Sequence, residues 1–254
     1  MKKYLNCIGF NHRGTETQRR KKLFLSLCLC ASVVSIIFLS SCTSTPPTSA
    51  AGSVPLQGLA KFDYFVLALS WSPDYCAGLS RGSGGSDPQE CALGHKLGFV
   101  LHGLWPQDDP GYPSDCSAEP LPAGVKAQFP GLYPNDALYD HEWTKHGTCT
   151  GLSPAVYLAL AGQLRQAVTI PDNFRAPANS FRTTVDQLKQ DFTAANPGFT
   201  SPDFEVTCSG SGRYLTELYV CFSRDARPQA CGLSLHKTAL KTCQAADFVV
   251  RNTP

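Results

Sequence analysis

Eight cysteines between residues 76 and 243 set the tightest limit on how this chain folds: Cys76, Cys91, Cys116, Cys149, Cys208, Cys221, Cys231 and Cys243. An even set of thiols in an exported chain reads as a framework of up to four disulfides. No two of them form a CxxC pair, so neither a zinc ribbon nor a thioredoxin-type redox motif has support. Eight thiols can pair in about a hundred ways, and the sequence alone does not choose among them.

The case for export lies at the N-terminus. Arg19, Arg20, Lys21 and Lys22 precede an uncharged, mostly apolar run from Leu23 to Leu39, the charge-then-apolar order of an export signal. The run ends in Leu39-Ser40-Ser41-Cys42, which resembles the bacterial lipobox, whose cysteine is lipidated and becomes the mature N-terminus. Residues 1–41 are then a leader and Cys42 a lipid attachment point to the membrane. The other reading is a retained transmembrane helix, because 17 residues meets the lower end of the roughly 17–25 needed to span a bilayer. Residues 42–58 are polar and contain Pro46 and Pro47, as in a flexible tether, so the folded body is expected over 59–254 as one domain, by default a monomer.

Charge narrows the partners. Residues 1–41 hold seven Lys and Arg against one acid, leaving the remainder with 15 basic and 19 acidic residues and a net charge of −4. A histone-like protein is excluded, and any nucleic-acid contact is local rather than a long basic groove.

Within the body, Asp63 to Trp71 and Leu97 to His102 read as buried strands. Strand alternation puts His102 on the face of Gly98 and Val100, opposite Phe99 and Leu101. Residues 77–90, with Gly78, Gly82, Gly84, Gly85 and Pro88, read as a loop closed by Cys76 and Cys91. Ser153-Pro154 opens a helix carrying Val156, Leu160 and Leu164 on one stripe. Thr184 and Gln187 suggest a capping box for a second helix, running through Phe192 to the stop at Asn196-Pro197-Gly198. Two further strands fall at Phe204–Cys208 and Tyr214–Phe222. Strands, then helices, then strands, without a βαβ repeat, point to an α+β fold with a largely antiparallel sheet.

Five histidines lie in the body, and three of them fall in two short segments. The first is Phe99-Val100-Leu101-His102-Gly103-Leu104-Trp105-Pro106. The second runs from Leu138 to Cys149 and contains His141-Glu142-Trp143-Thr144-Lys145-His146. On a helix, Glu142, Lys145 and His146 stand at i, i+3 and i+4 and share a face. His141 is five residues from His146, about 140° around the axis, which argues against a zinc-peptidase helix with its histidines at i and i+4.

These two segments resemble the signature sequences of the ribonuclease T2 family. The similarity extends to Leu67–Cys76, to Cys116 and to Leu215-Thr216-Glu217-Leu218-Tyr219-Val220-Cys221, and so covers roughly residues 60 to 245. The resemblance implies the pairs Cys76–Cys91, Cys116–Cys149, Cys208–Cys243 and Cys221–Cys231. It implies cofactor-free, metal-independent cleavage of single-stranded RNA by transfer of the phosphoryl group to the neighbouring 2′-hydroxyl. His146 is then the general base and His102 the general acid, Lys145 stabilises the transition state, and His141 binds phosphate.

Two imidazoles with ordinary pKa values near 6.5 suit such a reaction, since they can hold opposite protonation states together. Glu142 fits less simply: it could raise the pKa of His146 and hold its ring, or donate a hydrogen bond when protonated. Trp105 is either a stacking platform for a base or packed against Pro106, while Gln107, Asp108 and Tyr112 are candidates for reading base edges. Trp143 is expected in the core, and His95 and His236 are expected as packed or surface side chains. The rival functions are a non-catalytic RNA-binding or storage protein on the same scaffold, and a zinc peptidase.

Overall fold

The computed structural model describes residues 56–81 and 85–254, so the leader, Cys42 and most of the tether lie outside the described residues. Strand β1 (Tyr64–Trp71) is built from β-branched, aromatic and aliphatic residues that fit a pleated surface packed on both sides. Helices α1 (Ser72–Arg81) and α2 (Pro88–Cys91) follow, overlapping both ends of the span 77–90 that the sequence suggested as a loop. Pro73 sits in the first turn of α1, where its missing N–H costs nothing, and Asp74 favours the same end. Of the five expected loop-breakers only Gly78 lies inside α1, and Pro88 opens α2 behind the Asp87 cap.

Strand β2 (Phe99–Gln107) leads through α3 (Ala123–Lys126) to α4 (Asp136–Lys145), which Asn135 caps by accepting the Leu138 N–H. Next come α5 (Pro154–Ala167), β3 (Phe181–Thr183) and α6 (Val185–Ala195), the last capped by Thr184 on the Gln187 N–H. Strands β4 (Phe204–Ser209) and β5 (Tyr214–Ser223), helix α7 (Leu233–Leu240) and strand β6 (Phe248–Val250) complete the chain.

Among the described residues six strands form one sheet in the order β2-β1-β5-β6-β3, with β4 also on β5. Every pairing is antiparallel except β5 with β6. One face is the core. Leu67 and Leu69 of β1, Leu101 of β2 and Leu218 and Val220 of β5 pack there with Leu158 of α5 and Leu188 and Phe192 of α6. Full burial of each such side chain is worth roughly 1.5–3 kcal/mol.

The opposite face carries Tyr64, Val66, Trp105 and Tyr219, and one irregularity decides its chemistry. Ala68 pairs with Gly103 and Leu69 with Leu101, so His102 is an extra residue in β2, a β-bulge. In a regular strand residues 102 and 105 would face opposite ways. The bulge resets the alternation, so Leu101 and Leu104 are both in the core while His102 and Trp105 both line the cleft.

The disulfides are Cys76–Cys91, Cys116–Cys149, Cys208–Cys243 and Cys221–Cys231, the four pairs that the resemblance implies. The second ties the segment after β2 to the turn after α4, and the last two fasten the β4–β5 edge to the chain on either side of α7.

Candidate active site

A cleft of about 880 Å³ opens on the face of the sheet away from the main core, bounded by α4, α7 and the loop after β2. Helix α4 is seated by its apolar side: Tyr139 and Trp143 are buried, as expected for Trp143, and the Trp143 indole donates to the Glu119 carbonyl at 2.9 Å. This holds the other side of the helix against the sheet. His146 is the C-cap of α4, and its backbone N–H donates to the Glu142 carbonyl at 3.0 Å. His141, Glu142, Lys145 and His146 all line the cleft, His141 from its exposed rim and His146 from the buried end of the helix.

Trp105 organises the centre. Its ring stacks on that of His146 at 5.1 Å between centroids and meets His102 edge-on at 5.1 Å. Its Nε1 donates to Glu142 Oε2 at 2.8 Å. The two imidazoles, 44 residues apart in the chain, are therefore brought against one indole. Neither sequence reading of Trp105, base platform or partner of Pro106, describes this wedge between functional groups. Gly103 makes it possible: a methyl there would fall inside contact distance of both Glu142 Oε2 and Trp105 Nε1.

His102 is gripped from two sides. Its Nδ1 lies 2.5 Å from Glu217 Oε1, and its Nε2 lies 3.6 Å from Glu142 Oε1. Glu217 also accepts from Tyr219 Oη at 2.6 Å and Ser70 Oγ at 3.1 Å. Glu142 is 0% exposed, so it is not part of a solvated helix face, and its reach is to His102 and Trp105 rather than back along the helix to His146.

The electrostatics of the two imidazoles diverge. Burial pushes the His146 pKa down to about 3, helped by the positive charges of Lys145, His102 and His141. Glu142 therefore does not raise it, contrary to the first of the roles the spacing suggested. For His102 burial also acts downward, but the hydrogen bond and charge of Glu217, with the charges of Glu142 and Glu90, outweigh it and raise the pKa. Burial raises Glu142 to about 7 against the opposing pull of His102 and the Trp105 N–H. Burial would raise Glu217 too, yet the His102 contact and the two hydroxyl donors hold it below the usual carboxylate range.

The outer positions are less enclosed. His141 is 55% exposed in its side chain, with a pKa lowered by partial burial and by the charges of Lys145 and His102. Gln107 is buried and Tyr112 is 53% exposed, 6.0 Å from the His146 ring; both line the cleft, as does Asp108. His95 is exposed, and His236 lies outside this centre, where its Nδ1 meets Glu205 at 2.8 Å.

Residues 62–231 match the model of the ribonuclease T2 family. The chain belongs to that family. A ribonuclease of Aeromonas hydrophila is 38% identical over 207 residues, covering 79% of this chain and 91% of that protein. Ribonuclease I of Escherichia coli is 26% identical over 229 residues, covering 71% and 83%. Among solved structures, ribonuclease MC1 from bitter gourd seeds superimposes with a TM-score of 0.55 at 25% identity, covering 74% of this chain and 99% of that one. A variant of RNase MC1 that superimposes equally well was solved with 5′-UMP.

This ribonuclease T2-family chain is thus a T2-type endoribonuclease with an α+β fold. The residue that sequence reasoning passed over is Glu217. It lies inside a stretch that carries the family likeness, and its signal was an acid in a strand whose neighbours Leu218 and Val220 point into the core. What no spacing could reveal is its partner, 115 residues away.

Proposed function

We propose that the chain cleaves single-stranded RNA without a metal ion, by transphosphorylation to 2′,3′-cyclic phosphate ends that are afterwards hydrolysed to 3′-phosphates. The observation that carries this reading is the opposite proton bias of two imidazoles held against one indole. His146, neutral at working pH, takes the proton of the 2′-hydroxyl. The 2′-oxygen then bonds to phosphorus as the bond from phosphorus to the 5′-oxygen breaks. His102, protonated, gives its proton to that 5′-oxygen. The roles reverse when water opens the cyclic phosphate.

Lys145, on the cleft wall, supplies positive charge for the pentavalent phosphoryl group, and His141 binds a phosphate oxygen from the rim. Glu142, with its pKa near 7 and one oxygen beside His102, acts in its ionised form as a counter-charge to His102 and, through the Trp105 N–H, holds the indole between the two imidazoles. RNA as the substrate is supported by the family and by the nucleotide held in the RNase MC1 variant. Base preference is low: Tyr112 offers an aromatic face that any base can use, with Gln107 and Asp108 beside it.

We further infer export and lipid attachment at Cys42, with the enzyme monomeric on the outer side of a membrane; the four disulfides support an oxidising compartment. The deciding experiment digests RNA with the purified body in EDTA and identifies the new ends. Cyclic-phosphate ends, lost in folded His102→Ala and His146→Ala variants, are expected. New 5′-phosphate ends, or activity abolished by the chelator, would overturn the mechanism. Labelling of Cys42 by a radioactive fatty acid, absent in Cys42→Ala, tests the attachment.

A further inference from the structure

Resting on the catalytic roles just given, we propose that Glu217 is the positioning residue of the general acid: it accepts the Nδ1 proton of His102 and so leaves Nε2 as the nitrogen that delivers a proton to the leaving oxygen. Three features support it. Glu217 Oε1 stands 2.5 Å from Nδ1, whereas Nε2 faces the other way, toward Glu142. Glu217 is itself fixed, by Ser70 Oγ on one oxygen and Tyr219 Oη on the other, so its acceptor direction is set before substrate arrives. And Tyr219 packs edge-on against Trp105 at 5.6 Å, tying this support to the indole between the imidazoles.

The need for such a residue follows from the bulge. His102 is the unpaired residue of β2, so the ladder does not hold its backbone as it holds its neighbours. Without a partner on Nδ1 the ring could rotate about its Cβ and present either nitrogen, and its neutral form could take either tautomer. A carboxylate on Nδ1 removes both freedoms and favours the imidazolium. The charged and titratable groups facing His102 are Glu217 from β5, Glu142 and, more distantly, His141 from α4, His146 at its end, and Glu90 from α2. Of these only Glu217 hydrogen-bonds to the ring.

The test is Glu217→Gln, which keeps the size and an acceptor oxygen but removes the charge. The His102 titration, followed by NMR of its ring, is expected to move to lower pH, and the basic limb of the kcat profile to move with it. At pH 7 kcat falls by roughly 10- to 100-fold, part of the 10²–10⁴ that a positioned acid contributes, while KM stays within about twofold. A merely structural residue would change stability and leave both titrations where they were; that result, in a folded variant, overturns the proposal. Nitrogen shifts of His102 in the unmutated protein give a second test, independent of whether the variant folds. The neutral ring must carry its proton on Nδ1, and a proton on Nε2 refutes the assignment. Both NMR readings stand apart from turnover, so an unmutated protein that fails to cleave RNA would sink the proposed function and not this inference.

Discussion

Glu142→Gln is expected to make the protein more stable at neutral pH while it loses activity. Glu142 is wholly buried; Oε2 takes the Trp105 N–H and Oε1 has no hydrogen-bond partner among the described residues. Burial raises its pKa from 4.5 to about 7 in the fold. The folded chain therefore binds more protons than the unfolded chain between those values, and stability falls as pH rises through that window. At about 1.4 kcal/mol per unit, the ionised carboxylate costs roughly 3 kcal/mol above pH 7 and almost nothing below pH 4.5.

A glutamine keeps an oxygen for the Trp105 N–H and has no charge to lose. The assay is urea unfolding of both proteins, disulfides intact, at pH 4.5 and pH 8, with RNA cleavage measured alongside. At pH 8 the variant should gain about 1–3 kcal/mol, the lower end allowing for an imperfect fit of the amide NH₂ beside His102. At pH 4.5 the gain should vanish. A variant destabilised equally at both pH values would refute the claim that an ionised Glu142 strains the fold.

The proton bias of the imidazoles predicts the pH dependence of kcat/KM. Because burial and the neighbouring positive charges hold His146 neutral, the acid limb should lie well below the usual histidine range, and with His102 raised the basic limb should lie above 6.5; an acid limb near 6.5 would refute the downward bias on His146. Gly103→Ala should lower kcat/KM by about 10²-fold or more with the fold retained, because the methyl displaces Glu142 and Trp105, and a steady-state assay with circular dichroism checks both. Replacing both Cys116 and Cys149 by Ser should cost roughly 2–5 kcal/mol in denaturant unfolding, and should lower activity at temperatures where the protein is still folded, since the bond braces the turn that follows His146.

Much of this molecule was present in its linear order. The apolar runs of β1 and β2 and the cap at Thr184 are local signals, settled by side-chain alternation and by backbone N–H groups that need a nearby acceptor. The two histidine segments and the even set of thiols likewise carried the family likeness. The helices at 72–81 and 88–91 were obscured because the glycines between them suggested one continuous loop.

Only the tertiary structure decided how the groups act. A single inserted residue in β2 turned His102 and Trp105 to one face, and no periodicity in the sequence marks a bulge in advance. Pairing of β1 with both β2 and β5 then brought Glu217 to His102 across 115 residues, and the packing of α4 against the sheet brought Glu142 to Trp105 across 37. Composition names which residues can hold a proton; burial and the partner each one meets determine which of them does, because desolvation and charge are properties of a place in the fold rather than of a position in the chain.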